Sequence, residues 1–271
     1  MSRFRLSLPL RHTAFITAAA VVTSTLTSSS AIPAKPQASI VLTAKPAPPT
    51  PLMRIHSAAH NVCENTKSAV YVINGDTGET LINECGDTVL HPASLAKLMT
   101  IYKIFKAVKA GSITFDTEIP VSDHARFMER NAGLKHGARI TYGEAVDGMV
   151  IKSWNDLAEA PAEALAQDAE TFAAGMTQEG VELGLKDTVF RNPSGLPDKK
   201  QVTTARDMVI LMRALRYNFP EYYKRFKIEE LVFRGKKYDR HDDIMFGGQG
   251  LAGDSRITGD KTGYTIASGY N

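Results

Sequence analysis

The hydrophobic pattern changes period several times along the chain, and each change predicts an element. In "SAVYVINGDTGETLINE" (68–84) two β-prone runs flank a turn built from Asn74, Gly75, Asp76 and Gly78. Those residues tolerate the backbone angles of a tight turn, so the stretch is predicted as a hairpin. After Pro92 the period lengthens: Leu95, Leu98, Met99, Tyr102 and Phe105 recur at helical spacing. This predicts a helix with a buried face, begun by a proline suited to the first turn and ended at Gly111. "TYGEAVDGMVIKSWND" opens with Thr141 and Glu144 at capping-box spacing, and helical segments lie on both sides of Ser153–Asn155. Residues 169–184 read as an amphipathic helix and 192–200, "NPSGLPDKK", as a turn-rich loop. Thr204 and Asp207 are expected to cap a helix carrying Met208, Leu211, Met212 and Leu215, and 228–271 reads as strands joined by Gly-rich turns. A hairpin, then helices, then strands predicts an α+β domain or a three-layer sandwich.

The first 60 residues follow no such pattern. Arg3, Arg5 and Arg11 precede a short apolar stretch, Ala14 to Val22, which ends in the small residues Ser29–Ala31. Residues 1–31 therefore read as a secretory signal peptide, the alternative being an uncleaved anchor. Residues 32–60 form a linker whose first part is Pro-rich and cannot pack a core. The folded domain is expected over 61–271. Cys63 and Cys85 flank the hairpin, and export would permit a disulfide between them, although sequence does not give the geometry.

Composition narrows the function classes. The chain has 271 residues and a formal charge of +3, with Lys and Arg scattered rather than in runs. No nucleic-acid partner is expected from that distribution. Two other patterns are weak. "GDSRITGDKT" (253–262) resembles a phosphate-binding loop but places Asp260 where that loop needs glycine. His56, His60 and Cys63 stand at metal-like spacing without a fourth ligand, so no metal or cofactor is expected.

Chemistry concentrates in "HPASLAKLMT" (91–100). Ser94 and Lys97, three residues apart, share one helix face. A serine hydroxyl is a poor nucleophile until a base removes its proton. A lysine serves as that base only when neutral, which requires burial or a second cation to lower a pKa that ordinarily lies near ~10.4. By itself the pair is weak, since roughly one S-x-x-K is expected by chance in a chain of this size. Ser153-Trp154-Asn155 adds a second hydroxyl and an amide, and Lys261-Thr262-Gly263 adds a cation, a hydroxyl and a residue without a side chain. Together, in this order, they form the S-x-x-K, S-x-N and K-T-G set of penicillin-recognising serine enzymes.

Longer stretches, among them "PASLAKLMT", "GMVIKSWNDLAEAPAEAL", "ELGLKDTVFRNPSGLPD" and "DKTGYTIASGYN", resemble the D-alanyl-D-alanine carboxypeptidase family. The resemblance implies a β-lactamase/penicillin-binding-protein-like transpeptidase fold, an antiparallel sheet sandwiched by helices. It implies that Ser94 attacks the peptide bond between two terminal D-alanines, Lys97 takes its proton, and Ser153 relays a proton to the leaving amine. Lys261 would set the field, Asn155 would bind the substrate amide, and Thr262 would help hold the terminal carboxylate. Gly263 leads to Tyr264, whose backbone N–H, with that of Ser94, would form the oxyanion hole. Peptidoglycan stem peptides would be the substrates, β-lactams covalent inhibitors, and the cell envelope or periplasm the location.

The chain departs from the family pattern in places. Trp154 stands where a small residue is usual and either packs into the core or narrows the cleft. "YDRHDDIMF" (238–246) replaces an Asn-rich stretch and reads as a solvated loop. The family continues past the K-T-G strand with two strands, a C-terminal helix and a membrane-associating segment, so a domain lacking these is expected. Without them the K-T-G strand would have no neighbour linking it to the hairpin and could not fix a site. A β-lactamase-like hydrolase and a catalytically inactive wall-binding protein remain as alternative readings.

Overall fold

The structure, a computed structural model, describes residues 16–18, 63–64, 66–240, 259 and 261–270. The hairpin forms where the pattern places it. Ala69–Ile73 (β2) pairs antiparallel with Thr80–Glu84 (β3), and Asn74 Oδ1 accepts from the N–H groups of Asp76 and Thr77 in the turn. On its other edge β2 pairs in parallel with Ile16–Ala18 (β1). Those three residues fall in the segment read as lying outside the fold. An open strand edge offers unpaired N–H and C=O groups, and the short β-prone run occupies it. A disulfide joins Cys63 to Cys85 across 22 residues and closes the base of the hairpin.

The helix predicted after Pro92 begins as a 3-10 turn, Ala93–Ala96, and continues as Lys97–Lys109 (α1). It is buried almost all round: Lys97, Leu98, Met99, Thr100, Ile101, Tyr102, Ile104 and Phe105 are all covered. Such a helix must lie at the centre of the domain rather than on its surface. Glu118–Pro120 (β4) and Arg139–Thr141 (β5) pair beside it, with the short helix Asp123–Arg126 (α2) between them in sequence. Tyr142–Ile151 (α3) starts with the expected capping box, Thr141 Oγ1 accepting from Glu144 N at 3.0 Å and Glu144 returning the bond at 2.9 Å. Asp156–Leu165 (α4) and Ala169–Leu183 (α5) complete the wall around α1, the latter stopped by Gly184 in the left-handed region.

Ala205–Asn218 (α6) ties the helices to the hairpin. Thr204 caps it through Asp207 N, as expected. Asp207 behaves differently from the expectation: its carboxylate accepts from Lys186 N, Asp187 N and Thr188 Oγ1 instead of closing the cap. The reason is burial, since Asp207 is 1% exposed and the 186–188 turn supplies three donors to a charge that water cannot reach. Farther along α6, Arg213 donates to the carbonyls of Gly75 and Asp76, and the Arg206 guanidinium lies 4.4 Å from the centre of the Tyr71 ring. Beyond Pro220–Tyr223 (α7) an aromatic cluster closes the far side of α1. Phe105 meets Phe115, Phe219, Tyr222 and Phe226 edge-on, with centroids 5.5–6.5 Å apart.

The strands after 228 are shorter than the sequence suggests. Glu230–Phe233 (β6) and Lys236–Asp239 (β7) form a hairpin through Arg234 and Gly235, both at positive φ. Tyr264–Thr265 (β8) pairs with Gly269–Tyr270 (β9) around a turn in which Thr265 and Ser268 cap each other. Among the described residues this pair does not join the sheet of β2 and β3, so the layers hold one three-stranded and three two-stranded sheets. Most of "YDRHDDIMF" lies outside the described residues. No described helix is long and apolar enough to cross a membrane.

Candidate active site

Ser94 sits in the 3-10 turn that opens α1, and the turn is held from two sides. Ala93 has φ of +46°, a left-handed backbone that costs a non-glycine residue roughly 1–2 kcal/mol. Its carbonyl is backed by Gly195, where a Cβ would fall 1.8 Å from the Ala93 oxygen. The next N–H, that of Ser94, is approached by Gly263, where a Cβ would fall 3.1 Å away. The glycine of K-T-G is therefore small because the Ser94 backbone runs against it. The segment leading into β8 has no link to the sheet of β2 and β3 among the described residues, and it meets the helices through this contact and through Lys261, whose Nζ donates to Ser153 Oγ at 3.1 Å.

Lys97 is fully buried. Its Nζ lies 3.2 Å from Ser94 Oγ and donates to Asn155 Oδ1 at 2.7 Å and to the carbonyl of Ser194. Burial drives its pKa well below the ordinary lysine value, and the charges of Lys261 and Arg130 push it the same way, while Asp156 and Glu159 oppose them. Desolvation and a second cation are the two causes the sequence asks for, and the site contains both. An amine beside a hydroxyl can receive its proton only when neutral, and a lowered pKa favours that form.

Asn155 is packed against Lys97. Its side chain is buried, with Oδ1 toward Lys97 and Nδ2 donating to the carbonyl of Glu129 at 2.6 Å. A buried amide needs partners at both ends, and here each end has one, which holds the side chain against Lys97. The neighbouring chain is tied in as well. Asn155 N donates to Arg130 O at 3.0 Å, and the Asp156 carboxylate accepts from Ala132 N. Burial lifts Asp156 to about 6. Ser153, at φ +57°, turns its hydroxyl toward Lys261 instead of continuing α3.

Trp154 points away from this group. It is 8% exposed and packs against Phe233 and Tyr238, with centroids 5.3 and 4.8 Å away, beneath the β6–β7 hairpin. Gly148 makes room for it on α3, where a Cβ would lie 3.0 Å from the indole. The core reading of this residue holds. Trp154→Gly is expected to destabilise the fold by ~3–5 kcal/mol in denaturant titrations followed by circular dichroism, with acylation per folded molecule little changed.

Sequence reasoning assigned no role to the loop 192–201. Asn192 and Gln201 lace it from inside. Asn192 Oδ1 accepts from Gly195 N at 2.7 Å, and Gln201 Oε1 accepts from Arg191 N and Asn192 N. Thr100 of α1 donates to Pro193 O at 2.7 Å, which aims the next carbonyl, that of Ser194, at Lys97. The one sequence signal was "PSG", a glycine in a Pro-containing turn. A cleft bounded by Pro92, Ala93, Gly195, Leu196, Thr265 and Ala267 opens beside the nucleophile. Thr262 and Tyr264 flank Gly263 where the chain enters β8 against the Ser94 turn, and Tyr264 is 40% exposed.

Solved structures share this arrangement of elements. Penicillin binding protein 5 from Haemophilus influenzae superposes with a TM-score of 0.68 at 28% identity, covering 74% of this chain and 58% of its own. Penicillin-Binding Protein D2 from Listeria monocytogenes, solved in an ampicillin-bound form, gives 0.64 at 26% identity over 74% of this chain and 81% of its own. The fold is that of the penicillin-binding proteins. Residues 56–271 match the D-alanyl-D-alanine carboxypeptidase family, and the chain belongs to it. The D-alanyl-D-alanine carboxypeptidase DacF of Bacillus subtilis is 36% identical over 155 residues, 57% of this chain and 40% of DacF. DacC of Escherichia coli is 31% identical over 202 residues, 72% of this chain and 49% of DacC. The chain thus spans about half the length, or less, of these curated relatives.

Proposed function

We propose that this protein is a serine-type D-Ala-D-Ala carboxypeptidase acting on peptidoglycan stem peptides. The observation that carries the reading is a fully buried Lys97 with its amine on Ser94 Oγ, beside a second cation bonded to Ser153. Lys97 Nζ accepts the Ser94 proton as Oγ bonds to the carbonyl carbon between the two D-alanines. The oxyanion is received by the backbone N–H groups of Ser94 and Tyr264. The C–N bond then breaks as Ser153 passes its proton to the departing D-alanine nitrogen and recovers one from protonated Lys97, with Lys261 holding the Ser153 hydroxyl in place. Thr262 steadies the terminal carboxylate. Lys97, neutral again, takes a proton from the water that attacks the ester carbonyl, and returns it to Oγ as the ester C–O bond breaks and Ser94 is restored. No metal or cofactor enters these steps. A β-lactam presents the same acyl group in a ring, so its leaving nitrogen stays attached and release from Ser94 is slow.

The family relation supports an envelope location. In this reading residues 1–31 direct export as a signal peptide, 32–60 act as a spacer, 61–271 form the catalytic domain, and any membrane association is peripheral. The test is an intact mass spectrum after incubation with benzylpenicillin, beside Ser94→Ala, followed by an assay of D-alanine release from a D-Ala-D-Ala peptide. One covalent adduct absent from Ser94→Ala, together with D-alanine release, is expected. Rapid loss of the adduct with penicillin turnover would instead favour a β-lactamase-like hydrolase. No adduct and no release would leave a wall-binding protein.

A further inference from the structure

Away from Ser94, α4 carries two carboxylates one turn apart, Glu159 and Glu163, and α2 brings His124 against both. His124 Nδ1 lies 3.5 Å from Glu159 Oε1 and 3.3 Å from Glu163 Oε1, and one ligand atom from each of the three residues lies within 4.8 Å of the others. Ser122 Oγ donates to Glu163 Oε1 at 3.0 Å and fixes that carboxylate. Acidic side chains near a histidine are common on surfaces, and this cluster differs from those in Glu159. Its side chain is 3% exposed, and its Oε2 is buried without a hydrogen-bond partner. A buried carboxyl oxygen without a hydrogen-bond donor is costly, and the protein holds such an oxygen in Glu159.

The spacing matches a particular kind of compensation. Nitrogen and oxygen ligands held at ~2.0–2.1 Å around a tetrahedral zinc lie roughly 3.3–3.4 Å apart. The two contacts of His124 are close to that separation. His124 is 67% exposed, which leaves water access to a fourth position. We infer that His124, Glu159 and Glu163 form a site for a divalent transition cation, zinc by its ligand chemistry, with water as the remaining ligand. A cation there joins α2 to α4, the helix that follows Asn155 directly, and is structural rather than part of the serine chemistry. The inference is independent of the proposed function.

Calorimetric titration of the full chain with zinc chloride at neutral pH, paired with thermal denaturation, tests it. One zinc bound per chain and a raised melting temperature are expected. Glu159→Gln, which keeps the shape of the side chain, and His124→Ala should each weaken binding by at least ~10-fold. The His56→Ala/His60→Ala double variant should bind like the parent, because the proposed ligands are His124, Glu159 and Glu163. Absence of stoichiometric binding overturns the inference. So does equal binding by Glu159→Gln and His124→Ala, or loss of binding in the His56→Ala/His60→Ala chain.

Discussion

Gly195→Ala slows acylation of Ser94 by at least ~100-fold, a loss typical of an ångström-scale misplacement of a reacting group. The residue touches no substrate in the proposed mechanism, so the effect comes entirely through the backbone. A Cβ at 195 would fall 1.8 Å from the Ala93 carbonyl oxygen and 2.9 Å from Ser94 N. Neither neighbour is the end of a flexible side chain, so one backbone must move. The φ of +85° adds a strain that glycine does not feel. If the 192–201 loop yields, the Ser194 carbonyl leaves Lys97. If the 93–96 turn yields, Ser94 N leaves the oxyanion position. Either displacement disables the same step. The rate of adduct formation with benzylpenicillin, measured by mass spectrometry on protein whose circular dichroism is unchanged, is the test. Acylation at the parental rate would show that the loop does not hold the nucleophile.

Lys97→Met lowers the same rate by ~10²–10⁴, the usual contribution of a general base. Its pH dependence carries more information. Lys97 acts when neutral, and its pKa lies well below that of an ordinary lysine, so acylation should rise with pH through that lowered value and then level off. Lys261 is one cause of the lowering. Replacing it by glutamine removes a positive charge that disfavours protonated Lys97, so the amine keeps its proton to higher pH. The rising limb of the Lys261→Gln profile must therefore move toward alkaline pH. A limb that stays in place, or moves toward acid, would show that burial alone controls Lys97 or that another group titrates.

Legibility in the sequence follows the kind of atom involved. The side chains singled out from their chemistry come together in space: Ser94 meets Lys97, Lys97 meets Asn155 across 58 residues, and Ser153 meets Lys261. Local elements were also legible, because the 68–84 hairpin and the Thr141 capping box depend on neighbouring residues alone. Groups supplied by the main chain were not. The carbonyls of Ser194 and Glu129, which orient Lys97 and Asn155, have no residue type to mark them. The contact of Asn155 Nδ2 with the Glu129 carbonyl was illegible for that reason. Asp207 was read as a cap because its spacing fits one. The donors of 186–188 that claim it are 19 to 21 residues away and become neighbours only through tertiary folding.

The bonds that assemble the site span 58, 97 and 108 residues, from Lys97 to Asn155, Lys97 to Ser194 and Ser153 to Lys261. Each closes a long loop, and such contacts form only after the chain has given up most of its freedom. Helices can appear without any of them. A collapsed chain with full secondary structure but unjoined segments would therefore leave Ser94 unreactive. Covalent labelling by a β-lactam consequently counts molecules whose distant parts have met, and so reports topology rather than helix content.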